Sequence, residues 1–343
     1  MRKTILGALV ASAFAFGGTA HAALTLDLNG AAPGGVINAT ALDWAPTSFL
    51  AKDGNLAIGN FASGNCGADN AGCQFDVYTH AKLIGYIDAN GTSIGIDNSL
   101  GEITMVARIT ERVTNFIGGT DPFAQFRTTG AGWVEFYFTS TANSDNLTGA
   151  NFNDGRMIGR LEGLGASLGS FGVDGTKPLV ALDGTVGDPP DDDYPGQLTV
   201  QGSGSQGNIQ AGLTSKVLDG TFFLTTLAGF TINYENISIG LPYLSVDPSD
   251  CFNVTARTNG DVGTTQASEC DTNHQLATYA GQTNPTGYTP VVGDVNGLDP
   301  ANPDFVAQTD FNSPVTGVPE PASLALVGLA LAGMGAATRR RRA

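Results

Sequence analysis

The chain has 343 residues, with 16 Lys and Arg against 32 Asp and Glu, a net charge of −16. That balance speaks against nucleic acid, whose phosphates need a basic face, and against an anionic membrane surface. Only 14% of the residues are charged and 47 are glycine, so helix formers such as Glu and Lys are too few for a helical bundle and turns must be frequent.

In chain order, Arg2 and Lys3 precede an apolar run from Ile5 to Phe16, and Ala20-His21-Ala22 is a small-x-small cleavage site. Residues 1–22 therefore read as a helical signal peptide cut after Ala22. Leu24 to Leu28 alternates with period two, as a half-buried strand does. Phe75 to Tyr78 and Lys82 to Asp88 predict a strand or bent hairpin, Asn90-Gly91 a turn, and Ser93 to Ile96 a short extended piece.

The clearest strand runs from Glu102 to Ile117, with Ile103, Met105, Ala107 and Ile109 on one side. Beyond Thr110 the alternation drifts, which points to a bulge. Trp133 to Thr139 puts Val134, Phe136 and Phe138 opposite Trp133, Glu135 and Tyr137. Arg156 to Glu162, Gln197 to Val200 and Ser215 to Leu218 are weaker strands, Phe230 to Leu241 a strong one, and Thr221 to Leu227 fits a helical turn or two.

Strands at this spacing, without long amphipathic helices between them, predict a mostly β protein built as an antiparallel sandwich or jelly roll. We assign residues 23–280 to this β-rich extracellular domain. The pattern fades into Thr, Asn, Gly and Pro after Asn253, so residues 281–317 read as a linker.

Cys66, Cys73, Cys251 and Cys270 form an even set in an exported chain, which reads as disulfides. Of three connectivities, the local one, Cys66–Cys73 and Cys251–Cys270, is the economical choice. A metal site would need CxxC spacing or nearby histidines, and only His80 and His274 survive signal cleavage.

Several motifs fail on their context. Gly202 to Gly207 fits G-x-G-x-x-G but lacks the helix that would meet a pyrophosphate, and reads as a flexible turn. Gly165 to Gly169 fits G-x-S-x-G, yet the glycines that follow oppose the helix of a nucleophile elbow. Asp294 opens like a calcium loop whose later positions are wrong. Asp191, Asp192 and Asp193, behind Asp188 and two prolines, are weak calcium candidates, because a solvated loop explains them better. Glu102, Glu111, Glu135 and Glu162 lie on or beside predicted strands and would be the carboxylates of a glycoside hydrolase, although solvent-face positions explain them as well. Trp44 and Trp133 would be its sugar-stacking rings, although such aromatics are more often core or edge residues.

The C-terminus is the most specific stretch. Val318, Pro319, Glu320 and Pro321 form an extended joint, since proline can continue neither helix nor strand. An uncharged run from Leu324 to Ala337 then reads as a short transmembrane helix, and Arg339, Arg340, Arg341 and Arg342 as its cytoplasmic end. Joint, span and basic end over residues 318–343 resemble the PEP-CTERM sorting signal of Gram-negative bacteria. That resemblance implies processing by exosortase, transient inner-membrane anchoring through this segment alone, and release to the cell surface or extracellular matrix. It also implies co-occurrence with exopolysaccharide. The passage Ser144 to Gly155 resembles one in the ectodomains of some PEP-CTERM proteins, including those linked to flocculation.

Residues 1–22 hold two of the positive charges, and residues 318–343 hold four positives and one negative. Ala23 to Gly317 is left with 10 positives and 31 negatives, a net of −21. The expectation is a structural or adhesive protein of biofilm or floc, not an enzyme, with polysaccharide or other matrix components as partners. No cofactor is expected beyond calcium drawn to the acidic surface. The alternatives are a secreted polysaccharide-active enzyme and a calcium-dependent carbohydrate-binding module.

Overall fold

The computed structural model describes residues 23–31, 34–146, 149–178, 180–181, 198–239, 256–266 and 304–317. The signal peptide with Ala20 and Ala22, the segment 318–343, Asp191, Asp192 and Asp193, and Cys251 and Cys270 lie outside the described residues.

The elements are β1 (Leu24–Asp27), β2 (Val36–Ala39), β3 (Ala41–Trp44), β4 (Thr47–Lys52), the helix α1 (Gly54–Ala62), β5 (Gln74–Ile87), β6 (Ser93–Gly95), β7 (Glu102–Ile117), β8 (Phe123–Thr139), β9 (Gly155–Leu164), β10 (Leu168–Val173), β11 (Val180–Ala181), β12 (Leu198–Thr199), β13 (Gly202–Gln206), β14 (Ile209–Leu218), β15 (Leu227–Ile239), β16 (Thr265–Gln266) and β17 (Phe305–Gly317). Strand structure and antiparallel pairing are thus as expected. Among the described residues no helix is long and apolar enough to cross a membrane.

Thirteen strands form one sheet, and that sheet closes on itself. Three staves are bent pairs: β3 with β4, β9 with β10, and β13 with β14. Around the ring β3/β4 pairs with β5, β5 with β7, and β7 with β8. One half of β8 then pairs with β9 and the other with β10, and these pair with β14 and β13. Both reach β15, which pairs with β17, and β17 returns to β3 and β4.

The result is an eight-staved, up-and-down antiparallel barrel. A sandwich or jelly roll would instead pack two sheets face to face through Greek-key connections. Here neighbours along the chain are neighbours in the ring, so the expected architecture is corrected. Among the described residues closure leaves no long free edge to template aggregation.

A barrel of eight strands has an interior that side chains just fill, and this one is filled from opposite staves. Trp44 of β3 stacks on Phe136 of β8 at 6.2 Å and on Phe311 of β17 at 6.0 Å. Phe136 meets Phe230 of β15 edge-on at 5.1 Å. Each fully buried side chain of this size contributes roughly 1.5–3 kcal/mol. Ile103, Met105, Ala107 and Ile109, expected to share one side of the strand, lie in this core with Val134 and Phe136. The drift on β7 has two causes: register shifts fall between Ile109 and Glu111 and between Val113 and Asn115.

The passage 305–317, expected as linker, is the stave that closes the barrel. Its alternation was hidden because inward positions carry small polar residues. Ser313 is fully buried and accepts a hydrogen bond from Trp44 Nε1 at 3.0 Å. Its start also fixes α1: Asp304 accepts from Asp53 N at 2.7 Å, and its carbonyl accepts from Asn55 Nδ2 at 2.7 Å.

Other segments also depart from expectation. Residues 74–87 are one continuous strand, α1 has no counterpart in the sequence reading, and 221–226 is a turn. Gly202 to Gln206, expected as a flexible turn, is a strand. A side chain at Gly202 would strike the Gly172 carbonyl at 2.5 Å, and one at Gly204 the Ser170 carbonyl at 2.4 Å, so β13 needs its glycines to lie against β10.

Candidate functional site

The four candidate carboxylates divide between the two faces of the sheet. Glu102, Glu135 and Glu162 belong to the outer face, where residues 140–146, 149–154 and 256–264 cover β7, β8 and β9. Glu102 accepts from Asn143 N at 2.8 Å, Ser144 N at 2.7 Å and Ser144 Oγ at 2.8 Å, so it anchors the covering loop. The loop plugs in Phe152, which packs with Val106, Trp133, Tyr137 and Met157 in a second apolar cluster. His80 is buried and stacks on Phe152 at 4.0 Å. Burial pushes its imidazole down to about 3, so it is neutral and no ready base.

Glu135 is fully buried beneath this cover and fully compensated. Arg160, opposite it on β9, pairs with its Oε1. Tyr137 donates to its Oε2 at 2.7 Å, and the Arg257 backbone N–H donates to Oε1 at 2.9 Å. Arg160 also donates from Nε to Glu162 at 2.9 Å and lies over the Trp133 ring, 5.5 Å from its centre. Burial raises the Tyr137 hydroxyl above the usual phenol range, with Arg257 opposing. The cluster is a packed structural unit: its carboxylates already hold the donors a substrate would need.

Glu111 alone faces the barrel interior. It lies on β7 beside a cavity of about 50 Å³ at the α1 end of the barrel. Phe49, Phe75, Phe126, Phe171, Tyr234 and Phe305 supply its aromatic wall, and Gly54 and Ile58 of α1 close it. Phe75 meets Phe126 edge-on at 5.3 Å, and Phe171 meets Phe305 at 4.9 Å. Burial pushes the Glu111 carboxyl up to about 7, and a hydrogen bond from Gln206 offsets this only in part. Tyr234 Oη makes no hydrogen bond of sound geometry. Burial, and then the Glu111 charge, raise its hydroxyl above the phenol range.

Of the remaining predicted residues, Cys66 and Cys73 form a disulfide around the short helical segment Ala68–Cys73, as local pairing required. Trp44 and Trp133 are buried, so neither offers a face to a sugar. Ser167 sits in the bend between β9 and β10, bonded through its N–H to Thr128 Oγ1 at 2.7 Å, with no helix following. Among the described residues no group of three or more His, Cys, Asp and Glu is placed to hold a metal ion. Arg160, Tyr234 and Gln206 went unmarked in the sequence. Their only signal was phase: each sits on a strand, and register decides what it meets.

No curated protein and no solved structure matches the chain. One family does: the PEP-CTERM protein-sorting motif matches residues 317–342. The match begins at Gly317, the last residue of β17, so only Val318 separates the closing stave from Pro319. The chain therefore carries the PEP-CTERM protein-sorting motif, and with it the mark of an exported protein that exosortase processes and that is directed to the cell surface.

Proposed function

We propose that the exported barrel is a structural or adhesive component of an exopolysaccharide-associated matrix, in biofilm or floc, and acts by binding and assembly. The observation that carries this reading is the state of the outer carboxylates. Glu102 and Glu135 are held as acceptors inside the fold, and Glu162 is tied to Arg160. Inverting and retaining glycosidases both need two free carboxyl groups flanking a sugar. The net of −21 from Ala23 to Gly317 supports calcium as the bridge to other anionic matrix polymers.

The sorting segment, joined almost directly to β17, supports delivery of the barrel as one unit. Gly317 lies against Ala23, whose carbonyl a Cβ there would meet at 2.7 Å. The described chain thus starts and stops at one barrel end, and α1 stands at the other. On this reading the α1 end faces away from the attachment point.

Deleting the gene should reduce aggregation and biofilm cohesion, and a calcium chelator should reproduce the loss in wild type. Complementation with Glu162→Gln should restore cohesion. If that variant failed while exported and folded, and the purified protein shortened host polysaccharide, a polysaccharide-active enzyme would replace this reading.

A further inference from the structure

We propose that the α1 end of the barrel lumen is a binding site for a small organic cation of the alkylammonium class. The inference goes beyond the matrix role and does not depend on it. Its basis is a mismatch between wall and floor. The wall is six aromatic rings, whose π faces attract a cation, most strongly where water is excluded. The polar groups among the lining residues are Glu111, Tyr234, Gln206, Ser170 and Ser205, and none of the lining residues is basic.

A buried carboxyl ordinarily has a cation beside it, as Glu135 has Arg160. Glu111 has an amide. Tyr234, a buried residue, adds a hydroxyl whose side-chain neighbour is the neutral Thr79 and which has hydrogen-bonding capacity to spare.

Size and donor set narrow the ligand. At roughly 10–15 Å³ for each water-sized centre, the cavity of about 50 Å³ takes a group of a few heavy atoms. Methylammonium and ethylammonium fit that size. A calcium ion needs six to eight oxygens, more than this apolar wall presents. The cavity is partly open, and Ser205 of β13 is the exposed residue of its lining. The acidic surface raises the local concentration of any cation outside that opening.

Binding needs Glu111 ionised. Glu111 and Tyr234 are the titratable groups among the lining residues, and Thr79 and Gln206 are their neutral partners. With the carboxyl at about 7, affinity should be full at pH 8 and about tenfold weaker at pH 6.

The test is calorimetric titration of the exported, processed protein with methylammonium at both pH values. Methanol serves as the neutral isostere and potassium as the inorganic cation. We expect saturable binding of methylammonium at pH 8, the tenfold loss at pH 6, and at least tenfold weaker binding by Glu111→Gln. Absence of saturable binding at pH 8, equal binding of methanol, or unchanged affinity in the variant would each overturn the proposal. A second measurement stands on wild type alone. Saturating methylammonium should lower the NMR titration midpoint of the Glu111 carboxyl by at least about one pH unit, and an unmoved midpoint overturns it.

Discussion

Two buried glutamates, Glu135 and Glu111, lie on paired strands of one barrel and meet opposite fates. Glu135 points outward under a covering loop and collects a guanidinium, a phenol and a backbone N–H. Glu111 points inward and collects one amide. Burial is nearly equal, at 0% and 5% exposure, so desolvation alone does not separate them. Compensation does: a satisfied buried charge holds structure together, whereas an uncompensated one costs stability and is available to a ligand.

The largest effect should come from removing the compensation. Arg160→Ala leaves Glu135 buried without its cation and should cost about 3–5 kcal/mol in denaturant unfolding. A loss below about 1 kcal/mol would mean that Tyr137 and the Arg257 N–H suffice, and the contrast would weaken.

Glu111→Gln comes next, and its sign depends on pH. The folded carboxyl titrates near 7, against 4.5 in the unfolded chain. Its stabilising contribution is therefore complete below pH 4.5 and lost as pH rises through 7, a swing on the order of 3 kcal/mol. The variant lacks that slope, so relative to wild type it should gain stability between pH 5 and pH 8. Parallel stability profiles for the two proteins would break the contrast from the other side.

The smallest change is Tyr137→Phe. It deletes one donor to Glu135 and should cost about 1.5 kcal/mol, with no new slope between pH 5 and 8. A new slope there would show Glu135 beginning to titrate as Glu111 does.

Parts of this picture are legible in the sequence for a physical reason. Alternation over Ile103 to Ile109 and over Trp133 to Phe138 marks strand faces because the pleat has period two. The Cys66–Cys73 bridge is legible because the six turn-forming residues between them bring its ends together. The sorting motif is legible because a processing enzyme reads linear sequence. The carboxylates were legible as candidates, but their roles were not. Glu102, Glu111, Glu135 and Glu162 all sit in strand-like surroundings, and nothing local separates an anchor, a cavity group and a salt-bridge partner.

By itself, then, the sequence determined that the protein is exported, mostly β, and stapled at its first cysteine pair, because export signals, pleat and short loops are local properties. Tertiary structure decided the rest. Phe305 to Gly317 looks like linker until β15 and β3 flank it, because Thr309 and Ser313 are small polar residues whose inward place follows only from closure of the ring. Register across 25 residues put Arg160 opposite Glu135. Barrel closure turned Glu111 toward rings from six other strands. Such pairings depend on which strands meet and in what phase, and no window of the chain contains that information.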